Sequence, residues 1–329
     1  MRRLLIPETL APVGPDAVPA GPVERVGGRT MGTTWSVSVV TRRPGEGEAV
    51  RDLVEVELAR LVAQLSHWYP DADLCRFNRA PAGSRISLPR DLFQVIEAAC
   101  LVAEASEGAY DPTLGALVDL WGFGPPGPVD RPPDEAAINA ALARSGWQRL
   151  ALNREDRSSL QPGGLQLDLS GSAKGHAVDV VSDLLSAEGF ANHLLEIGGE
   201  LRGRGLKPDR QPWWVGLEAP VGDSDTVAAL HDLAVASSGD HRRGRDLAGS
   251  RIGHTLDGRT GRPIGNGVTG ATVLHASCLM ADALATAIMV LGPERGRAFA
   301  EAQALACLTG GQEKPGWDWI SPAAQRMMA

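Results

Sequence analysis

Asp282 and Thr286 lie four residues apart in SCLMADALATAIMVLG (Ser277–Gly292), a stretch otherwise almost wholly apolar. On a helix that spacing puts a carboxylate and a hydroxyl on one face. A buried charge must be paired or must bind a cation. Oxygen donors of this kind suit Mg²⁺, which completes its octahedron with water and substrate phosphates. The plainer reading is a carboxylate complementing the helix dipole and a threonine bonded back to its own helix. The seven histidines show no HExxH or other zinc spacing, so zinc is disfavoured.

Four further stretches could act with this pair. LQLDLSGSAKGHAVD (Leu165–Asp179) reads as a strand, a small-residue turn and a helix starting near Lys174. Such a turn leaves backbone N–H groups free for an anion, and Lys174 adds a positive charge. It is neither a Walker A loop nor a GxGxxG fingerprint, so a phosphate cradle and an ordinary turn both remain open. SGDHRRGR (Ser238–Arg245) supplies a histidine and three arginines that suit phosphate oxygens or form a solvated turn. GHTLDGRTGRP (Gly253–Pro263) places His254 beside Asp257 on a loop, as a general base or a structural histidine. GAYDPTLGALVDLWGFG (Gly108–Gly124) gathers Tyr110, Trp121 and Phe123 in a chain with 5% aromatics; they fill a core or stack on a planar ring. Asp111 before Pro112 reads as a turn or cap.

The elements that must position these groups divide by type. The first half carries helical periodicity over Glu48–Trp68, Pro89–Gly108 and Glu135–Gly146, after one alternating strand at Thr34–Val40. The second half is strand-rich, with candidates at Leu165–Leu169, His193–Ile197, Trp213–Ala219, Asp232–Ser237 and Ala271–Ala276. Two helices interleave, Ala173–Gly189 and Ser277–Gly292. This is an α+β pattern, not a βαβ alternation. Residues 1–24 are rich in Pro and Ala without periodicity and read as a disordered arm, leaving 25–329 as the domain.

Bulk properties exclude several classes. A net charge of -8 makes nucleic acid and anionic membranes poor partners. The four cysteines form no CxxC pair and read as small apolar core residues. The start, MRRLLIPETL, lacks the apolar run of a signal peptide and any nearby cysteine for a lipid, which leads us to expect a cytoplasmic protein.

In order along the chain, eight segments resemble the ApbE family, the FAD:protein FMN transferases. They are TMGTTWSV, LSHWYPDADLCRFN, GAYDPTLGALVDLWGFG, LDLSGSAKGHAVD, EIGGELRGRG, SGDHRR, HTLDGRTGRPI and MADALATAIMVLG, running from Thr30 to Gly292, about four fifths of the chain. The resemblance implies a T-fold-like α+β architecture of two lobes with an FAD cleft between them. It implies Mg²⁺-dependent transfer of FMN from FAD to a Thr or Ser hydroxyl of an acceptor flavoprotein, at a D-G-x-[ST]-G-[AS]-[ST]-like site, with a phosphoester formed and AMP released.

Residue by residue, the resemblance assigns Met31 and Trp68 to flavin contacts, and Ala109, Tyr110 and Asp111 to the adenine-nucleotide side. Asp168, Lys174 and Leu256 become further FAD contacts. Gly171, through its carbonyl, would join Asp282 and Thr286 as metal ligands. His254 is then the expected proton acceptor, with His241 second, and Lys174 would stabilise developing negative charge. Three positions depart from the family pattern. Gly258 stands where a proline is common, His241 replaces a frequent tyrosine, and Ala285 replaces a second aspartate just before the ligating threonine. Family members are often exported lipoproteins. Two competing functions are a Mg²⁺-dependent FAD pyrophosphatase and a non-catalytic FAD-binding protein.

Overall fold

A computed structural model describes residues 3–7, 10, 19–222, 226–240, 244–247, 249–311 and 315–328. Its centre is an eight-stranded sheet: β1 (Val23–Thr30), β2 (Thr33–Val40), β3 (His193–Ile197), β4 (Glu200–Arg204), β5 (Leu233–Gly239), β6 (Val268–His275), β7 (Ala306–Gly311) and β8 (Trp319–Ile320). The strands lie side by side in chain order and every neighbouring pair is antiparallel. Antiparallel sheets alternate core-facing and outward-facing side chains, and this one buries both faces.

One face carries α1 (Gly47–Leu65), α2 (Arg90–Ala105), α3 (Ala173–Ala187) and α4 (Cys278–Ala302), packed on Val26, Trp35, Val37, Leu195, Ala234 and Ala236. The other face presents Val235, Leu274 and Leu308 to a small sheet of Arg3–Leu5, Thr226–Leu230 and Trp213–Gly216. The fold is α+β. No helix among the described residues is long and apolar enough to cross a membrane.

Several elements differ from expectation. Part of the expected arm is ordered, since Arg3–Leu5 pairs in parallel with Thr226–Leu230 and Leu5 is fully buried. The Pro- and Ala-rich composition hid this three-residue strand. β1 also begins inside the expected arm; its two glycines and three charged residues mask the strand period. The candidate strand Leu165–Leu169 makes one isolated parallel bridge, Gln166 with Leu114, and joins no sheet. Side-chain amides act in place of a neighbouring strand. Asn78 donates to Leu167 O (3.0 Å) and accepts from Leu167 N (2.8 Å). Gln161 does the same for Leu165, at 3.1 and 3.3 Å. Backbone groups buried at this depth need such partners.

α4 begins at Ser277, whose hydroxyl accepts from Met280 N, and it breaks at Gly292 (φ 80°) before Pro293. Asn266 Nδ2 donates to the carbonyls of Met289 and Val290, which the break leaves without helical partners (2.9 and 3.2 Å).

At the start of β3, His193 is wholly buried. Its Nδ1 lies 2.7 Å from Phe190 O and its Nε2 lies 2.8 Å from Ser182 Oγ. A neutral ring donating to the carbonyl and accepting from the hydroxyl satisfies both contacts. Burial lowers the ring's pKa to about 4, whereas an unfolded histidine protonates near 6.5. The unfolded chain thus binds the extra proton between these values. The stability from this residue is complete above about pH 6.5 and is lost as pH falls towards 4. Chemical denaturation between pH 7 and 4 is expected to show a decline of up to about 1.4 kcal/mol per pH unit from this group. His193→Gln flattens that slope.

Candidate active site

The contact between α3 and α4 sets the geometry. A Cβ added to Gly175 on α3 would fall 2.3 Å from Cys278 O and 2.9 Å from Asp282 Cβ. Only glycine lets the two helices approach this closely. In that contact Gly175 N–H donates to Asp282 Oδ2 (3.1 Å). Asp179, one turn along α3, caps α4 from outside. It accepts from Cys278 N and Leu279 N (both 3.0 Å) and from Ser277 Oγ (2.7 Å). Arg202 neutralises it from β4. A carboxylate at a helix N-terminus satisfies orphan donors and complements the dipole.

Asp282 is 3% exposed and Glu200, at the start of β4, is 1% exposed. Lys174 forms an ion pair with Glu200. Burial pushes both carboxyls up in pKa; Lys174 opposes this at each, and the Asp282 charge raises Glu200 further. Two buried acids around one lysine are short of positive charge, which favours an additional cation or retained protons. Glu200 Oε2 has no hydrogen-bond partner among the described residues.

Thr286 Oγ1 lies 2.8 Å from Ser238 Oγ on β5 and 3.3 Å from Asp282 O. A Cβ on Gly171 would sit 3.0 Å from that Thr286 oxygen and 3.3 Å from the Tyr110 ring. The turn's backbone therefore lies against Thr286, and Gly171, Asp282 and Thr286, which line one cleft, offer a carbonyl, a carboxylate and a hydroxyl. That donor set fits Mg²⁺. It holds a single carboxylate, and no group of three or more His, Cys, Asp or Glu positioned for a metal occurs among the described residues.

These groups open into a cleft of about 590 Å³. It brings together Trp68, Ala109, Tyr110, Asp111, Asp168, Gly171, Lys174, His254, Leu256, Asp282 and Thr286, all selected from the sequence. Met31 is not among the lining residues. It occupies the β1–β2 turn with φ 47°, beside Thr33 and Thr34, which do line the cleft. Trp68 stands on the rim, 59% exposed. Asp111 lines the cleft while accepting from Thr113 N, Thr113 Oγ1 and Trp147 N (2.8, 2.6 and 3.1 Å). Asp168 accepts from Ser170 N (2.7 Å) and shapes the turn before Lys174.

The carboxylate beside His254 is Asp240, not the expected Asp257. His254 Nδ1 is 3.0 Å from Asp240 Oδ1, which also accepts from Thr255 Oγ1 (2.8 Å). Burial would raise Asp240, but His254 and Thr255 outweigh it and hold the carboxyl below its ordinary range. Asp257 instead holds Arg259 at 2.8 and 2.7 Å and closes its own turn. Sequence proximity favoured Asp257, whereas the fold returns the end of β5 to the loop. His241 lies outside the described residues. Of the arginines in the same stretch, Arg245 is engaged by the carbonyls of Trp121 and Gly122 and covers the Phe123 ring at 4.9 Å. Phe123 in turn meets the His254 ring edge-on at 6.4 Å. Trp121 is core, donating to Gly261 O (2.8 Å).

Glu200 escaped sequence reasoning although its signal was present. EIGGEL reads as a two-residue Gly-Gly hairpin, which pairs Glu200 with Ile197. Cross-strand partners share a face. Ile197 is fully buried, so Glu200 follows it inward.

The ApbE family model matches residues 31–309. This chain belongs to the ApbE family. The FAD:protein FMN transferase of Vibrio cholerae is 39% identical over 296 residues, covering 87% of each chain. That of Klebsiella pneumoniae is 35% identical, over 93% of this chain and 89% of the relative. Among solved structures, the Pseudomonas stutzeri flavinyl transferase ApbE in its apo form superposes with a TM-score of 0.85 at 39% identity, covering 93% of this chain and 96% of the other. The Thermotoga maritima ApbE protein gives 0.83 at 27% identity, covering 94% and 100%.

In this ApbE chain the α3–α4 approach is sensitive to a single methyl group. Gly175→Ala is expected to cost about 2 kcal/mol in urea unfolding, the range of an overpacked contact. Fluorescence titration of the same variant should show weaker FAD binding, because the added methyl meets Asp282 as well as the backbone.

Proposed function

We propose that this chain is an FAD:protein FMN transferase. The observation that carries the reading is the cleft itself. In a chain of this family, Asp282, Thr286 and Gly171 converge beside the Lys174–Glu200 pair, with His254 lining the same cleft. The family membership supplies the substrate; the donor set supports metal-assisted chemistry on a pyrophosphate.

In this reading Asp282, Thr286 and the Gly171 carbonyl would hold Mg²⁺, which would supply positive charge for the phosphoryl oxygens. Lys174, kept in place by Glu200, faces the negative charge that builds up as the phosphoryl group transfers. His254, with Asp240 orienting its Nδ1 side, takes the proton from a Ser or Thr hydroxyl of the acceptor through Nε2. The acceptor oxygen forms a bond to the FMN-side phosphorus. The bond from that phosphorus to the bridging oxygen breaks, and AMP departs with that oxygen. The buried aromatic and apolar wall around Tyr110, Ala109 and Leu256 excludes water that would otherwise compete with the acceptor.

Incubation with FAD, Mg²⁺ and a flavoprotein carrying a D-G-x-[ST]-G-[AS]-[ST]-like site is expected to raise acceptor mass by one FMN. Asp282→Ala should abolish the gain. His254→Asn should lower kcat by about 10²–10⁴-fold, the range of a general base. AMP and free FMN appearing without any acceptor would instead favour the pyrophosphatase. Intact FAD after prolonged incubation with Mg²⁺ and acceptor would favour a binding protein.

Glu200→Gln keeps the side chain's size but removes the charge facing Lys174. It is expected to lower kcat about ten-fold or more while FAD affinity changes less, since a positioning role acts mainly at the transition state. A loss of FAD affinity with kcat unchanged would show that Glu200 serves binding alone.

A further inference from the structure

The central sheet has an internal gap beside the cleft. β4 and β5 pair at Leu233–Gly203, Ala234–Arg202 and Val235–Leu201, and there the pairing stops. Among the described residues, β5 continues to Gly239 paired only with β6. The β3–β4 hairpin has already turned at Gly198–Gly199, with Gly199 N–H donating to Glu196 (3.1 Å) and Gly198 N–H to Thr34 O (3.0 Å). The last stretch of β5 therefore has an open edge on the β4 side.

The direction of its backbone groups follows from the ladder. Asp240 N–H donates to Thr269 O, so residue 240 faces β6 (3.1 Å). Successive residues in an antiparallel strand alternate the side to which both backbone groups point. Ser238 and Ala236 then face β6, while Ser237 and Gly239 turn their N–H and C=O groups into the gap. Both residues line the cleft. Side chains alternate as well. Ser237 Oγ meets Thr272 Oγ1 on one face of the sheet (2.7 Å), and Ser238 Oγ meets Thr286 on the helical face (2.8 Å). The cleft is lined from both faces at this gap, by Leu201, Val235 and Thr272 on one side and Glu200, Ser238 and Thr286 on the other.

We propose that the open edge of β5 at Ser237–Gly239 is where the acceptor protein docks, its modified segment adding as a short antiparallel strand between β5 and the Gly198–Gly199 turn. This rests on the transferase reading. A strand added to a sheet edge gains affinity from backbone hydrogen bonds and specificity from alternate side chains. The residue opposite Ser238 would project its side chain on the face of Ser238 and Thr286, which delivers a Ser or Thr hydroxyl to the metal-binding group. Its two neighbours would pair with Ser237 and Gly239 and project to the opposite face. The gap continues directly into the cleft, so docking and delivery are one event. A segment with small residues around the hydroxyl fits a gap walled on one side by two consecutive glycines.

The test uses the full-length enzyme, FAD, Mg²⁺ and a synthetic acceptor peptide containing one Ser or Thr among small residues. FMN transfer to the unmodified peptide or its parent protein checks the transferase reading separately. With transfer established, N-methylation of each residue flanking the acceptor hydroxyl should raise the peptide's KM about ten-fold, while N-methylation of the hydroxyl residue itself should not. This alternation is the signature of a strand and requires no change in the enzyme. Gly239→Pro removes one N–H from the gap and should raise acceptor KM similarly, with FAD affinity unchanged within about two-fold. KM values unaffected by either change would overturn the proposal. So would a parallel loss of FAD affinity in Gly239→Pro, which would give the strip to the dinucleotide.

Discussion

The close approach of α3 and α4 at Gly175 is the constraint on which the rest of the site depends. A helix pair held at this distance brings a backbone N–H of one helix to a carboxylate of the other. Asp282 is thereby fixed in a place where an unsupported charge would be expelled. The external cap by Asp179 holds the start of α4, and the Gly292 break ends its straight part beyond Thr286. Between these two points the helix is almost wholly apolar and buried. Apolar packing on all sides leaves its two oxygen donors little freedom to move.

Electrostatics adds a second requirement. Lys174 alone cannot neutralise Glu200 and Asp282, and burial disfavours both charges. Replacing both acids by apolar residues would relieve the strain on stability, as is common for buried ion pairs. Their retention makes sense where a cation and an anionic substrate complete the charge balance. His254 sits apart from this cluster, on a loop whose orientation comes from Asp240 at the end of β5. Asp282 and Thr286 thus reach the cleft from a helix, and His254 reaches it from a loop tied to the sheet.

Much of this was legible in the sequence because the candidate site residues stand on strongly patterned elements. The apolar helix around Asp282 and Thr286 could hardly be read otherwise, and the strand at Thr34–Val40 matches β2 to one residue. Of the thirteen selected site residues, eleven line one cleft, Met31 does not and His241 lies outside the described residues. What the sequence concealed were relations between distant segments. Asp240 lies fourteen residues from His254, yet it meets that ring where the nearer Asp257 does not. Asn78 acts as partner for a segment far along the chain, a role no local pattern announces. β1 was hidden because an edge strand with glycines and charges loses the alternation that marks a half-buried strand.

The Gly198–Gly199 turn joins these themes. It ends the β3–β4 hairpin early enough to leave the last residues of β5 without a partner on the β4 side among the described residues. It also places Glu200 on the helical face beside Lys174. A longer hairpin would close the gap in the sheet and carry the carboxylate out of the cleft. A shorter one would lose the pairing that keeps Glu200 buried. Gly198 and Gly199 adopt φ values of 64° and 106°, a backbone path that side-chain-bearing residues rarely follow. A Cβ at Gly198 would also meet Thr33 at 2.7 Å, on the other hairpin that borders the cleft. Unpaired strand edges are ordinarily a liability that proteins cover or blunt. Here the edge lies inside the cleft, shielded from other chains except those able to reach the site itself.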